Sequence, residues 1–287
     1  MSKPIRISVI TPCFNSATTI RETIQSVLQQ SYADWEHIVV DGGSTDGTLE
    51  ILKEYPHLLW TSGRDEGLYD AMNQGVERGS GDLEVILNSD DCFRPGALAR
   101  VAGAFREHPQ WDASFGDVVY VDGEGGEIYR REEAVYDYNV LRYWRGYICH
   151  QTLFVRKSVY QRIGLYRHKD FLNGCDFEFI LRLGREGCVV GHVPALLVNF
   201  RIHDRGRSAD KRVERNVEQE HLQIRREYGF PGGVWGCVLS HYHRAKRQLQ
   251  KLRYRGKCDV ISGRWLLRKH MHERTSISSN VGLDRLK

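Results

Sequence analysis

Residues 37–48 read H-I-V-V-D-G-G-S-T-D-G-T. An apolar run too short for a helix stops at Asp41 and gives way to glycines and small hydroxyls. Runs of about four to eight apolar residues bounded by turn residues fit buried strands. Gly42, Gly43 and Gly47 allow tight turns and the close approach of a ligand. Residues 46–55 then take up a helical pattern, so the stretch predicts strand, turn and helix in succession.

The same unit recurs on either side. Strands are predicted at 5–11, 58–61, 83–88 and 114–121, and helices at 69–79, near 175–186 and at 95–107, the last with Pro95 near its first turn. Ile20, Ile24, Val27 and Leu28 fall on one face of a further helix, for which Thr18 or Thr19 with Glu22 resembles a capping box. Strands alternating with helices imply βαβ units: an α/β, Rossmann-like fold with a mainly parallel central sheet flanked by helices. In such sheets ligands bind beyond the carboxyl ends of the strands.

Three predicted strand ends carry polar residues: T-P-C-F-N (11–15), D-G-G-S-T-D-G-T (41–48) and N-S-D-D (88–91). Asp90 and Asp91 are adjacent, and like charges repel unless a cation or polar ligand sits between them. The inventory of Asp, Asn, Ser, Thr and Gly suits oxygen-rich coordination of Mg²⁺ or Mn²⁺ and hydrogen bonding to a nucleotide. Each stretch alone is also an ordinary turn or helix cap. Their succession at consecutive strand ends favours function.

The rest of the chain sets limits. With 287 residues, 41% hydrophobic and 27% charged, it reads as an ordinary soluble protein of one large domain with an appendage. No apolar stretch approaches the roughly 18 residues of a membrane-spanning helix. The opening M-S-K-P-I-R-I-S-V-I-T-P does not resemble a signal peptide, so the expected compartment is the cytoplasm. The seven cysteines show no C-x-x-C spacing, and their odd number argues against a disulfide framework. The net charge of +4 is uneven: from Ser240 onward 13 Lys/Arg stand against 3 Asp/Glu. No G-x-G-x-x-G follows a strand, which disfavours a dehydrogenase. A nucleotidyltransferase would carry a Gly-rich, Arg-containing loop after the first strand, and T-P-C-F-N-S-A lacks one.

Taken together, S-V-I-T-P-C-F-N, I-V-V-D-G-G-S-T-D-G-T, D-E-G-L-Y-D-A-M-N-Q-G and I-L-N-S-D-D resemble a family 2 glycosyltransferase of the GT-A fold, of the bacterial exopolysaccharide and O-antigen type. The similarity runs from about residue 5 to 203. It implies a GT-A domain at 1–205 with a basic helical extension at 206–287. It further implies an inverting, divalent-metal-dependent transfer of sugar from a nucleotide-sugar donor to a glycan or polyprenyl-linked acceptor. Asp91 would be the direct ligand of Mn²⁺ or Mg²⁺, with Asp90 beside it; Asn88 stands where many relatives have Asp. Thr11, Pro12, Asp41 and Asp65 match donor-side positions, although Gly42 replaces the carboxylate usually associated with the base. In N-G-C-D-F-E-F, Asp176 matches the catalytic base, with Glu178 as its rival and Cys175 where relatives have Glu. His150 resembles an acceptor-side position, and Arg201 and His203 could approach the diphosphate. The departures at Gly42, Asn88 and Cys175 leave open a non-catalytic nucleotide- or sugar-binding module.

Residues 234–269 mix Trp235, Val238, Tyr242, Leu249 and Trp265 with many Lys and Arg. Such a segment can lie on an anionic membrane surface, giving a peripheral position on its inner face, or pack on the domain with a solvated charged side. No nucleic-acid motif accompanies the charge, so no nucleic-acid partner is expected.

Overall fold

The computed structural model describes residues 4–203 and 211–255. The N-terminal half alternates strand and helix: β1 (Ile7–Cys13), α1 (Ile20–Leu28), β2 (Trp35–Asp41), α2 (Thr48–Lys53), β3 (Leu59–Ser62), α3 (Leu68–Arg78) and β4 (Leu83–Ile86). There follow β5 (Cys92–Phe93), α4 (Ala97–Glu107), β6 (Ala113–Val121), β7 (Glu127–Arg131) and α5 (Tyr138–Tyr143). A 3₁₀ turn (His150–Thr152), β8 (Phe154–Arg156), α6 (Lys157–Ile163), α7 (Cys175–Arg185) and β9 (Val190–Arg201) complete the body. Two long helices, α8 (Lys211–Glu227) and α9 (Gly233–Arg255), come last.

All described strands join one sheet in the order β3-β2-β1-β4-β8-β6-β9-β5, with β7 on β6. The first four strands pair in parallel, as does β6 with β9, while β8, β5 and β7 add antiparallel. The result is an α/β sheet flanked by helices, as the alternating periodicities imply. Strand side chains alternate between faces. Accordingly Ile7 and Val9 of β1 pack with α4, whereas Ile10 packs with Met72 and Val76 of α3.

Helix α1 buries Ile20, Ile24 and Val27 completely, each contributing roughly 1.5–3 kcal/mol. Leu28, expected on the same face, is exposed, because the helix ends there. The expected capping box does not form either. Thr19 is the N-cap but its hydroxyl makes no cap bond, and the Ser16 carbonyl receives the first amides instead.

Helices α8 and α9 pack against the body. Ile224 and Tyr228 of α8 lie in the main core. Much of the basic charge of α9 turns inward: Arg247 Nη2 lies 2.7 Å from Glu133, Lys251 3.3 Å from Glu133 and Lys246 2.7 Å from Asp137, and Arg255 pairs with Asp117. The opposite face leaves Trp235, Val238, Tyr242, Leu249 and Leu252 exposed. The end of the basic segment, including Trp265, lies outside the described residues. Among the described residues no helix is long and apolar enough to cross a membrane.

Candidate active site

Parallel pairing of β2, β1 and β4 brings their carboxyl ends to one edge of the sheet. A cavity of about 690 Å³ opens there, with Pro12, Phe14, Gly42, Asp65, Asn88 and Asp90 in its wall. Pro12, Asp65, Asn88 and Asp90 therefore line one space. The Oδ1 of Asn88 is buried in that wall with no hydrogen-bond partner among the described residues.

Four expected contact residues point elsewhere. Thr11 is fully buried, and its hydroxyl meets His37 Nε2 at 2.9 Å; as the residue before Pro12 on β1 it faces the opposite side. Asp41 is also buried. It accepts hydrogen bonds from the Gly43 and Ser44 amides, both at 3.0 Å, from the Ser62 hydroxyl at 2.6 Å and from the Ser44 hydroxyl. Burial alone would raise its pKa, but these donors outweigh burial and lower it. Asp41 thus ties the turn together, and the cavity wall falls to its neighbour Gly42. A Cβ on Gly42 would come within 2.8 Å of Asp65 Oδ2, so the bare backbone makes room for a carboxylate delivered from the β3–α3 loop.

Asp91 is the third correction. It is 1% exposed, and its carboxylate accepts from Gln151 Nε2 at 2.7 Å and from the Arg201 amide at 2.8 Å. Burial, with the Asp90 charge next, pushes its pKa well above the usual carboxylate value. Asp90 is the carboxylate on the cavity, with His203 Nε2 at 3.1 Å from its Oδ2. Arg201 is the fourth. Its guanidinium donates to the carbonyls of Asp90 at 3.1 Å and Gly123 at 2.9 Å and pairs with Glu22, so it braces the loop from behind.

Asp176 sits in the first turn of α7, its side chain 26% exposed. Tyr69 donates to its Oδ1 at 2.9 Å, and His150 Nδ1 lies 3.4 Å from its Oδ2. Burial would raise its pKa, but His150, His221 and Tyr69 hold the carboxyl well below its usual range. Glu178 is fully buried and bound to Arg182 at 2.9 Å and Tyr228 at 2.6 Å, which removes it as a rival. Cys175 is a core residue whose thiol donates to the Phe171 carbonyl.

Asp176 does not line the 690 Å³ cavity itself. It is joined to that cavity twice. Tyr69 belongs to α3, whose Leu68 and Ala71 are in the wall. The 3₁₀ turn makes the second link: His150 contacts Asp176 while its neighbour Gln151 grips Asp91, whose other neighbour is Asp90. Sequence reasoning placed Gln151 only beside His150 near the acceptor site and gave Tyr69 and Phe14 no role of their own. Phe14 carried a signal, an aromatic directly after a buried strand, and it is 62% exposed at the cavity. Tyr69 carried none that separates it from a core residue.

Among the described residues no group of three or more His, Cys, Asp or Glu is poised to hold a metal. Asp90 with His203 nevertheless fits a divalent cation that takes its remaining ligands from phosphate oxygens and water, as Mg²⁺ and Mn²⁺ sites do.

Comparison with known proteins identifies the family. The chain is 34% identical over 188 residues to a PGL/p-HBAD biosynthesis glycosyltransferase of Mycobacterium tuberculosis, covering 63% of this chain and 70% of that protein. It is 38% identical over 104 residues to a putative teichuronic acid biosynthesis glycosyltransferase, TuaG, of Bacillus subtilis, covering 34% and 40%. Among solved structures, the fold matches S. aureus TarS with a TM-score of 0.61 at 17% identity, over 86% of this chain and 44% of TarS. It matches the mannosyltransferase PcManGT from Pyrobaculum calidifontis, in complex with GDP-Man and Mn²⁺, with a TM-score of 0.60 at 18% identity, over 86% and 71%. The family described as Glycosyl transferase family 2 matches residues 8–164, more than half of the sequence. The chain belongs to glycosyl transferase family 2 and is a glycosyltransferase.

Proposed function

We propose that this enzyme transfers a sugar with inversion from a nucleotide-sugar donor to a hydroxyl of a glycan or polyprenyl-linked acceptor, in the biosynthesis of a surface polysaccharide. The observation that carries the reading is the His150–Gln151 turn, which links the Asp90–Asp91 pair of the donor cavity to Asp176. Supporting it, TarS has been solved with UDP-GlcNAc and PcManGT with GDP-Man and Mn²⁺. The proposed organisation is a catalytic unit at 1–205 and an extension at 206–287, whose described helices α8 and α9 pack on the body.

An acceptor hydroxyl is a poor nucleophile until it loses its proton. Asp176, kept ionised by its surroundings, accepts that proton as the oxygen attacks the anomeric carbon, a contribution of about 10²–10⁴ in rate. Tyr69 and His150 fix the carboxylate's orientation. Attack from the Asp176 side, with the diphosphate leaving on the Asp90 side, is a single displacement. Pro12, Phe14, Asp65 and Asn88 hold the donor, and Asp90 with His203 would hold the cation. When bound, Mn²⁺ or Mg²⁺ supplies Lewis-acid stabilisation of the leaving diphosphate. Asp176→Asn should keep donor binding in calorimetry and lower transfer by at least about 10²; wild-type-like turnover removes the assignment of the base.

A further inference from the structure

Helix α9 is amphipathic in the reverse sense. A helix lying on a protein body usually turns its apolar stripe inward and its charge to solvent. The buried residues of α9 are instead Gly236, His243, Arg247 and Lys251. His243 stacks on Tyr143 at 4.9 Å, and the Arg247 guanidinium lies 3.8 Å from the centre of the Tyr147 ring. The apolar side points away from the body. Trp235, Val238, Tyr242, Leu249 and Leu252 are between 47% and 74% exposed, and Ala245 among them is exposed as well. Packing on the body leaves this stripe without a role.

The six positions 235, 238, 242, 245, 249 and 252 are spaced 3, 4, 3, 4 and 3, the seam of a helix that packs lengthwise on another helix. The spacing reads alike from both ends. In an antiparallel pair of α9 copies centred between His243 and Arg244, Trp235 faces the second copy's Leu252, Val238 its Leu249 and Tyr242 its Ala245. Two of these layers set an aromatic ring against a smaller side chain, as interdigitation requires. Charge agrees with this register. Helix α9 has no Asp or Glu. Along the flanks of the antiparallel pair Leu239 meets Lys246, His241 meets Gln248, and Arg253 comes beside the second copy's Trp235 ring, a cation–π contact. No two Lys or Arg side chains oppose each other there. A parallel pair would stack Trp on Trp and Tyr on Tyr, and would set His241 beside Lys246. Four of the six Lys and Arg of α9, namely Lys246, Arg247, Lys251 and Arg255, are engaged with Glu133, Asp137 and Asp117. That leaves little charge to draw the helix to an anionic membrane, where each cation near the surface contributes about 1 kcal/mol.

We infer that the outward face of α9 is the interface of a two-fold homodimer in which two α9 helices pack antiparallel. A two-fold interface uses the same patch on both copies, which the symmetric seam allows. Covering the exposed parts of the six seam side chains, two of them aromatic, removes on the order of 500–600 Å² per copy, roughly 1,000–1,200 Å² for the pair. That area is at the low end of specific interfaces, so the dimer is weak and reversible. The stripe is open in the monomer, and lipid and a second copy compete for it.

The test is sedimentation equilibrium of the full chain in the absence of lipid. The wild type should pass from monomer to dimer with a Kd of about 1–100 μM, as a small interface gives. Val238→Glu and Leu249→Lys each bury an unpaired charge in the seam and should each raise that Kd at least about thirtyfold. Both positions are exposed in the single chain, so neither variant should lower the melting temperature of the monomer. An equimolar mixture of the two variants should recover a dimer of one chain of each, because position 238 faces position 249 of the other copy. In a parallel pair 238 faces 238, and mixing recovers nothing. The inference is overturned if the wild type stays monomeric up to about 100 μM, if both variants keep the wild-type Kd, or if the mixture fails to dimerise. A monomeric wild type that binds anionic vesicles, and loses them on Val238→Glu, would give the stripe to lipid instead.

Discussion

Asp90 and Asp91 share one turn yet have opposite surroundings. Gln151 and the Arg201 amide use both oxygens of Asp91, while Asp90 looks into the cavity at the strand ends with His203 beside it. The sequence announced a carboxylate pair but not which member is accessible, because the deciding partners lie 60 and 110 positions away. The same holds for Thr11 and Asp41, whose neighbours Pro12 and Gly42 form the wall instead. Asp90→Ala should weaken Mn²⁺-dependent nucleotide binding by about tenfold or more in calorimetry. Unchanged metal dependence would return the role to another residue. Glu84 on β4 gives a pH prediction. It is fully buried with Lys157 at 3.7 Å, and burial raises its pKa from 4.5 to about 8. Between those values the folded state binds more protons than the unfolded one, so this group's contribution to stability falls as pH rises through the window. Glu84→Gln should flatten the fall in melting temperature between pH 4.5 and 8, and an unaltered profile would remove Glu84 as its source.

Elements with strong periodicity were legible. Strands β1 to β4 and helices α3, α4 and α7 lie within about two residues of where apolar spacing puts them. The twelve-residue β9 was not, since Gly191 and Pro194 interrupt its apolar residues and its alternation is lost. Three-residue β8 is too short to carry any pattern. Helix α3 shows how tightly the legible part is fitted. A Cβ on Gly75 would meet Ile10 Cγ2 of β1 at 2.2 Å, so only glycine lets the helix approach. Gly75→Ala should cost about 1–3 kcal/mol by overpacking, read in chemical denaturation. Because α3 also carries Leu68 and Tyr69, the variant should lose activity beyond its loss of stability; full activity with a lowered melting point would show that α3 tolerates displacement.

Across the whole molecule, charge and apolar surface are partitioned in a way composition alone does not show. The basic excess of α9 is partly spent on Glu133, Asp137 and Asp117, which fastens the helix to the body. The outward face carries Trp235 at 74% and Val238 at 52% exposure. Contact with an anionic membrane would therefore depend on that apolar stripe, with Arg244 and Arg253 at its flanks, more than on the total charge. The double variant Trp235→Ser/Val238→Ser should co-sediment less with anionic vesicles than the wild type, and equal partitioning would dismiss the lipid contact. The turn at His150–Thr152 matters at this scale too. Its His150 contacts Asp176 and its Gln151 holds Asp91, so two consecutive residues join the two carboxylates. In the mechanism proposed above, adjacent backbone units would thereby set the span from departing group to incoming hydroxyl. The walls around it are left free to change with the sugars they hold.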